Sequence, residues 1–420
     1  MAIRAEKIAF LGVFGSGNFG NDASLAAMLQ FIRRARPDTA LTCICPDPEN
    51  IARAYDLAAI QMSWAGLPTL WFQLLNRLLL KLPSRIINFI RAVLHIRRFD
   101  LMVVPGTGIF DDFGEGPWGV PFGVFRWCLA ARLCGTKIAL VSVGAGPIHH
   151  PVSRWFMTSA LRMASYRSYR DNWSKDYLRS IGFDSDADPV CPDLAFGLET
   201  PQQHRRIAGD SLTVGLGIMT YYGWHNDPEA GAATFQGYLG KIERFILGLL
   251  ERGHNVRLLV GDINDKAALD ALLARIRAAR PDITSAHLSA PPIASLTDVM
   301  TIIASCDVVV ATRFHNVVGA LALSKPVISI GYAKKNDALL GAMGLADFCQ
   351  HIESLDSALL EQQFAKLSAG HADYSRLVHE RVGLLRHGLA AQEAALTAAF
   401  LEGGMRRSKA GPLALETTNG

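Results

Sequence analysis

The chain has 420 residues, half of them hydrophobic and 19% charged. That describes a folded globular protein too long for one ordinary core, and two domains of about 150 to 200 residues each are expected. A formal net charge of +4, with no arginine-rich run and no RNA-binding aromatic motif, gives no support for a nucleic-acid partner.

The seven cysteines, at 43, 45, 128, 134, 191, 306 and 349, form no CxxC pair and fall partly inside apolar runs. Buried reduced thiols are expected, not a disulfide framework or a zinc site. The first strand, residues 7–12, starts so early that no room is left for a signal peptide, and a cytoplasmic protein is expected.

That strand ends in GVFGSGNFGND (12–22), after which Leu25, Met28, Leu29 and Ile32 share one face of a helix over 23–34. A strand, a glycine turn and a helix N-terminus make an anion cradle, because glycines let backbone N–H groups approach a ligand. Gly15, Gly17 and Gly20 match the GxGxxG spacing, but Asp47 comes late for a ribose-binding acid, so a dinucleotide site is not the favoured reading. The plain alternative is a turn that packs the helix on the sheet.

The longest uncharged run, 57–76, is broken by Gln61, Ser63, Gly66, Pro68 and Gln73, which argues against a membrane span. Residues 57–99 contain no acid, while Arg77, Lys81, Arg85, Arg91, Arg97 and Arg98 punctuate a strongly apolar sequence. This basic amphipathic insertion either rests peripherally on the anionic inner face of a membrane or covers one face of the first sheet as a helical pair.

The strand 100–105 ends in GTGIFDD (106–112), where Gly106 and Gly108 admit a ligand to the backbone and Asp111 and Asp112 bring carboxylates. A helix over 125–133 and a strand over 137–143 lead to a third glycine turn, Gly144 and Gly146 before Pro147. Three such turns imply a cleft at one edge of the sheet. Arg170, after a short strand-like run, projects into that crevice or pairs with Asp171. The boundaries expected are a first domain over 1–198, a linker over 199–210, a second domain over 211–401 and a disordered tail over 402–420.

The second half starts afresh with a strand over 212–218 and alternates helices (235–252, 266–279, 297–304) with strands (256–260 and near 287). The stretch CDVVVATRFHNVVGALALSKPVISIGYAKKNDALL (306–340) then reads as a buried strand, a sharp exit carrying Arg313 and His315, an apolar helix, a second strand and a turn bearing Lys334 and Lys335. Four groups that can be cationic, at two adjacent strand ends beside a helix N-terminus, make an anion site. Residues 358–400 are largely helical. The fold class expected is α/β, two Rossmann-like domains with parallel sheets facing across a cleft.

These landmarks in order, GNFGND (17–22), GTGIFDD (106–112), VGAGP (143–147), SYRD (168–171) with Pro192 and Asp193, and RFH (313–315) with Lys335, resemble the polysaccharide pyruvyl transferase family over roughly residues 7–345. The resemblance implies a GT-B-like fold and transfer of the enolpyruvyl group of phosphoenolpyruvate onto a sugar as a cyclic ketal, with release of phosphate. Arg313 and His315 then hold the phosphate and Arg170 the carboxylate, as arginine suits planar and trigonal oxyanions. His315 is the candidate acid and Asp22 or Asp111 the candidate base, with Asn18 in the glycine turn and the two lysines as binding residues.

The family often has Gly-Asp-Glu where this chain has Gly20, Asn21 and Asp22, so any acid–base role at position 21 passes to Asp22. No metal or redox cofactor is demanded by these steps, and His149 and His150 are adjacent, a poor spacing for one ion. Two alternatives stand beside this reading: a GT-B nucleotide-sugar glycosyltransferase and a non-catalytic sugar-binding protein of a polysaccharide assembly complex. Tyr221, Tyr222, Trp224 and His225 either stack on the acceptor glycan or pack between domains. If the basic insertion touches membrane, that acceptor is lipid-linked.

Overall fold

The computed structural model describes residues 6–64, 66, 69–106, 108–112, 116–202, 211–223 and 227–402. In chain order the first half is β1 (Lys7–Leu11), α1 (Phe19–Ala35), β2 (Ala40–Cys45), α2 (Pro48–Tyr55), β3 (Ala58–Gln61), α3 (Leu70–Leu78), α4 (Leu82–Ile96), β4 (Leu101–Pro105), α5 (Val120–Cys134), β5 (Lys137–Val143), α6 (Pro151–Met163), β6 (Tyr166–Tyr169) and α7 (Asn172–Ser180). Its strands pair in parallel in the order β3-β2-β1-β4-β5-β6. Ile8, Ala9, Phe10 and Leu11 are all fully buried, as expected of a parallel strand covered on both faces. The edge made by β2, α2 and β3 is an addition to the expected elements.

The second half runs β7 (Thr213–Ile218), α8 (Pro228–Glu251), β8 (Asn255–Val260), α9 (Lys266–Ala279), β9 (Leu288–Ser289), α10 (Leu296–Ala304), β10 (Val308–Ala311), α11 (Phe314–Ala322), β11 (Val327–Gly331), α12 (Lys334–Ala342), β12 (Cys349–His351), α13 (Ser357–Ala369) and α14 (His371–Leu396). Its sheet is parallel in the order β12-β11-β10-β7-β8-β9. Numbered from its own first strand, each sheet has the order third, second, first, fourth, fifth, sixth, which is the Rossmann order. Strand direction reverses its march across the sheet between β1 and β4, and again between β7 and β10. Ligands of such sheets bind outside the carboxyl ends at these switch points.

The chain divides into two compact units, and the division departs from the expected boundaries. The first takes residues up to 16, 24–194 and those from 387 on; the second takes 17–23 and 195–386. The end of α14 joins the first unit through side chains: buried Gln392 donates to Ser168 Oγ at 2.7 Å and accepts from Ser142 Oγ at 3.0 Å. Arg34 and Glu393 add an ion pair at 2.9 Å. Most of the expected linker, 203–210, and the tail from 403 lie outside the described residues. Among the described residues no helix is long and apolar enough to cross a membrane. All seven cysteines are free thiols, five of them buried (43, 45, 128, 191 and 306).

Candidate active site

In the second unit the site is assembled at the carboxyl ends of β7, β8, β10 and β11. β10 is fully buried and stops at Ala311; Thr312 follows, hydrogen-bonded through Oγ1 to Tyr238 Oη at 2.9 Å, and burial pushes that phenol up to about 12. Arg313 then caps α11 in extended conformation. Its Nε and Nη2 donate to Asp265 Oδ2 and Oδ1 at 2.8 and 2.7 Å, and Asp262 lies 3.9 Å away. Asp265 is wholly buried and also accepts from Thr220 N at 2.9 Å. Burial pushes its carboxyl upward, and the guanidinium works against that shift. Arg313, expected to face the phosphate, therefore spends its fork on holding three strand ends together.

His315 and Lys335 gather on Phe314. Its ring meets the His315 imidazole edge to face at 5.2 Å and lies 5.4 Å from Lys335 Nζ, which is also 5.1 Å from the Tyr332 ring. Lys335 is the second residue of α12, so a helix N-terminus, a lysine and an imidazole occur together. Lys334 is exposed. Beneath them Asn316 is fully buried, with its Nδ2 2.7 Å from where a Cβ on Gly217 would stand and its Oδ1 2.8 Å from one on Gly261. Those two glycines are required by this close approach.

Residues 17–23 belong to the same unit. Gly17 O accepts from Ile263 N at 3.0 Å, Phe19 N donates to Gly261 O at 3.3 Å, and Asn18 bridges to Asp262. Asn18 caps α1 through Gly20 N (3.1 Å), while Asn21 N donates to Asn18 O at 3.1 Å. The N–H groups of Phe19, Gly20 and Asn21, at the helix end of the turn, are thus engaged within the protein. Gly20 has a different function: a Cβ there would overlap the His315 ring, and one on Gly17 would overlap Ile263. The glycine turn sets the imidazole in place, with Asp22 in the first turn of α1 beside it in sequence.

In the first unit, the ends of β4, β5 and β6 form a second constellation. Arg170, buried in its side chain, pairs with Asp171 at 3.3 Å and Asp193 at 3.7 Å. It lies over Gly144, where a Cβ would come within 2.7 Å of its Cζ. Gly108 is open toward Asp111 Oδ2 and Arg170 Nη2, 3.6 and 3.8 Å from the position of a Cβ. The pairing with Asp171, one of the two readings of Arg170, is therefore present, and Asp193 adds a second carboxylate to it.

Gly106 (φ +38) accepts from Ser24 Oγ at 2.9 Å, and Gly146 (φ +85) packs on the Tyr177 ring, both of them packing positions. Asp112 is buried and takes the His149 and His150 N–H groups at 2.9 and 2.7 Å, so of the two adjacent aspartates it is Asp111 that faces Gly108. Tyr221 is also buried, its hydroxyl donating to Glu353 at 2.6 Å, so it is not a sugar platform. Tyr222 is half exposed, while Trp224 and His225 lie outside the described residues. Among the described residues no three His, Cys, Asp or Glu side chains are grouped as a metal site requires.

The sequence pattern of the polysaccharide pyruvyl transferase family matches residues 18–334, a span that includes the end of the glycine turn from Asn18 to Asp22, Arg170 and the Arg313–His315 exit. The chain belongs to the polysaccharide pyruvyl transferase family. No curated protein matches it in sequence.

Solved structures with a similar fold include a Listeria monocytogenes protein assigned as a UDP-N-acetylglucosamine 2-epimerase (13% identity, 94% of this chain and 98% of that one, TM-score 0.59). The UDP-GlcNAc 2-epimerase of Neisseria meningitidis bound to UDP-GlcNAc (12%, 93% and 99%, 0.58) and a glycosyltransferase of Rickettsia africae (12%, 93% and 98%, 0.53) are others. At these identities the likeness is one of fold, and that fold is GT-B-like. In this pyruvyl transferase family member Asp262, Asp265 and Asn316 line the candidate site, and the sequence reading missed them. The signal for the first two was Gly261-Asp262 directly after the strand β8, a glycine turn like those singled out elsewhere.

Proposed function

We propose that the protein transfers the enolpyruvyl group of phosphoenolpyruvate to two hydroxyls of a sugar in a polysaccharide or its precursor, forming a cyclic ketal and releasing phosphate. The observation that carries this reading is the sharing of the Phe314 ring by His315 and Lys335 at the ends of β10 and β11, within a chain of the pyruvyl transferase family. Lys335 and the N-termini of α11 and α12 receive the phosphate. His315 protonates the methylene carbon, and the positive charge that develops at C2 is quenched by attack of the first sugar hydroxyl, whose proton passes to Asp22. Departure of phosphate regenerates a cation at C2, and the second hydroxyl closes the ring as its proton passes to the imidazole of His315, which restores the acid. Asp111 is the comparison base, and Arg313 acts by fixing the backbone from which His315 projects. No redox step occurs, and phosphoenolpyruvate is a substrate, not a resident cofactor.

A second reading, a nucleotide-sugar enzyme, is supported by the fold shared with the UDP-GlcNAc-bound epimerase. Titration calorimetry separates the two. Binding of phosphoenolpyruvate without UDP or UDP-GlcNAc is expected, and the reverse pattern replaces the first reading with the second.

A further inference from the structure

The helices α3 and α4 follow one another through residues 79–81, and each keeps an apolar face that the protein leaves open. On α4 the row Asn88, Ala92 and Ile96 is buried, α4 packing against α5. The opposite row, Leu82, Ile86, Ile90 and Leu94, is 53, 50, 50 and 46% exposed. On α3, Trp71, Leu74 and Leu78 are 63, 61 and 78% exposed. Between them Leu80 and Lys81 both adopt left-handed backbone (φ 50 and 64), and Leu80 is 79% exposed. A contiguous apolar band of this kind marks an interaction surface.

What covers it follows from the charges. Residues 57–99 contain no carboxylate side chain, and Arg77, Lys81, Arg97 and Arg98 are all exposed. A second copy docked on the same face would bring cations against cations with no acid between them. At about 1.5 Å per residue α3 and α4 are about 14 and 23 Å long, too short to cross a hydrocarbon core of about 30 Å. Helices with one apolar and one cationic side lie instead in the interfacial plane.

We propose that α3, α4 and the turn between them form a membrane-docking surface that seats in the interfacial layer of a bilayer carrying anionic lipids. The apolar rows enter the acyl boundary, and the arginines and Lys81 pair with lipid phosphates at its rim.

The test is co-sedimentation of the full chain with vesicles of phosphatidylcholine alone and of phosphatidylcholine mixed with phosphatidylglycerol. The bound fraction should be about 10-fold higher on the mixed vesicles at ~50 mM salt and fall several-fold at ~0.5 M salt. The double variant Leu80→Asp/Ile90→Asp should lose binding about 10-fold with an unchanged thermal midpoint, since both side chains are exposed. Arg77→Glu/Lys81→Glu should lose it as well. Failure of the wild-type chain to sediment with either vesicle at low salt overturns the proposal whatever the variants do. Retention of binding in both variants overturns it too, as does a salt-sensitive dimer that Leu80→Asp/Ile90→Asp dissociates while vesicles stay unbound. Phosphate release with a water-soluble acceptor is expected to be the same in both variants, so this result and that of the proposed chemistry are read separately.

Discussion

Arg313 and Asp265 meet through two parallel hydrogen bonds of 2.8 and 2.7 Å, and the same carboxylate accepts the Thr220 N–H at 2.9 Å. One buried acid thereby ties the ends of β7, β8 and β10, the three strands around the second switch point. Arg313→Met leaves Asp265 buried without its counter-charge and should cost about 3 to 5 kcal/mol in denaturant unfolding. In that variant burial alone raises the Asp265 carboxyl, so the native state holds the proton more tightly than the unfolded state does. The deficit should therefore be largest at neutral pH and shrink as the pH falls toward about 4, the unfolded aspartate value. A deficit that grows on acidification would contradict the pairing.

Gly20 stands where a Cβ would overlap the His315 ring. Gly20→Ala should lower phosphate release about 10-fold or more by displacing the imidazole, since a shift of about 1 Å in a reacting group can cost 10²-fold. Gly237→Ala, in the middle of α8 with open space around it, is the control: it should keep activity and gain about 0.5 to 1 kcal/mol.

His315 and Lys335 share the Phe314 ring, whereas Lys334 is exposed. In steady-state kinetics His315→Ala should reduce kcat by about 10² to 10⁴ if it transfers the proton. Lys335→Ala should mainly raise KM for phosphoenolpyruvate, and Lys334→Ala should do neither. Equal losses at both lysines would remove the distinction drawn between them.

Gln392 sits in a buried network with Ser142 and Ser168, and Ser142 holds left-handed backbone at φ 50 inside β5. Gln392→Leu removes the acceptor of the buried Ser142 hydroxyl and a donor to Ser168 Oγ, which still accepts from Ser142 N at 2.8 Å, and should cost about 1 to 3 kcal/mol. Limited proteolysis within α14 should accelerate in step. An unchanged rate would mean that the helix is held by its apolar face alone.

Much of the fold was legible before any coordinates. Strand 308–310 is a continuous β-branched run, 327–330 is β-branched at three of its four positions, and the helices between such strands have local periodicity, so the two βα halves could be read off directly. The candidate positions were legible as places: Arg170, Arg313, His315 and Lys335 do stand at strand ends. Their duties were not. Arg313 looked like a free anion binder because its carboxylate partner, Asp265, is 48 positions away; for Arg170 the adjacent Asp171 was legible as a partner and the second one, Asp193, 23 positions away, was not. The glycine turn at 15–20 read as an anion cradle because spacing does not say what its N–H groups meet.

The sequence by itself determined the alternation of strand and helix, the glycine turns at strand ends and the family, because each rests on residues close together in the chain. Only the tertiary structure decided where the charges go and what the glycines admit. It sends Arg313 to Asp265, the end of α14 to Ser142 and Ser168, and the Gly20 backbone to the face of His315. The physical reason is that a buried charge takes whichever counter-charge the packing brings within about 3 Å, and a missing Cβ matters only where another element approaches. Both are facts of distance in space, which separation along the chain does not encode.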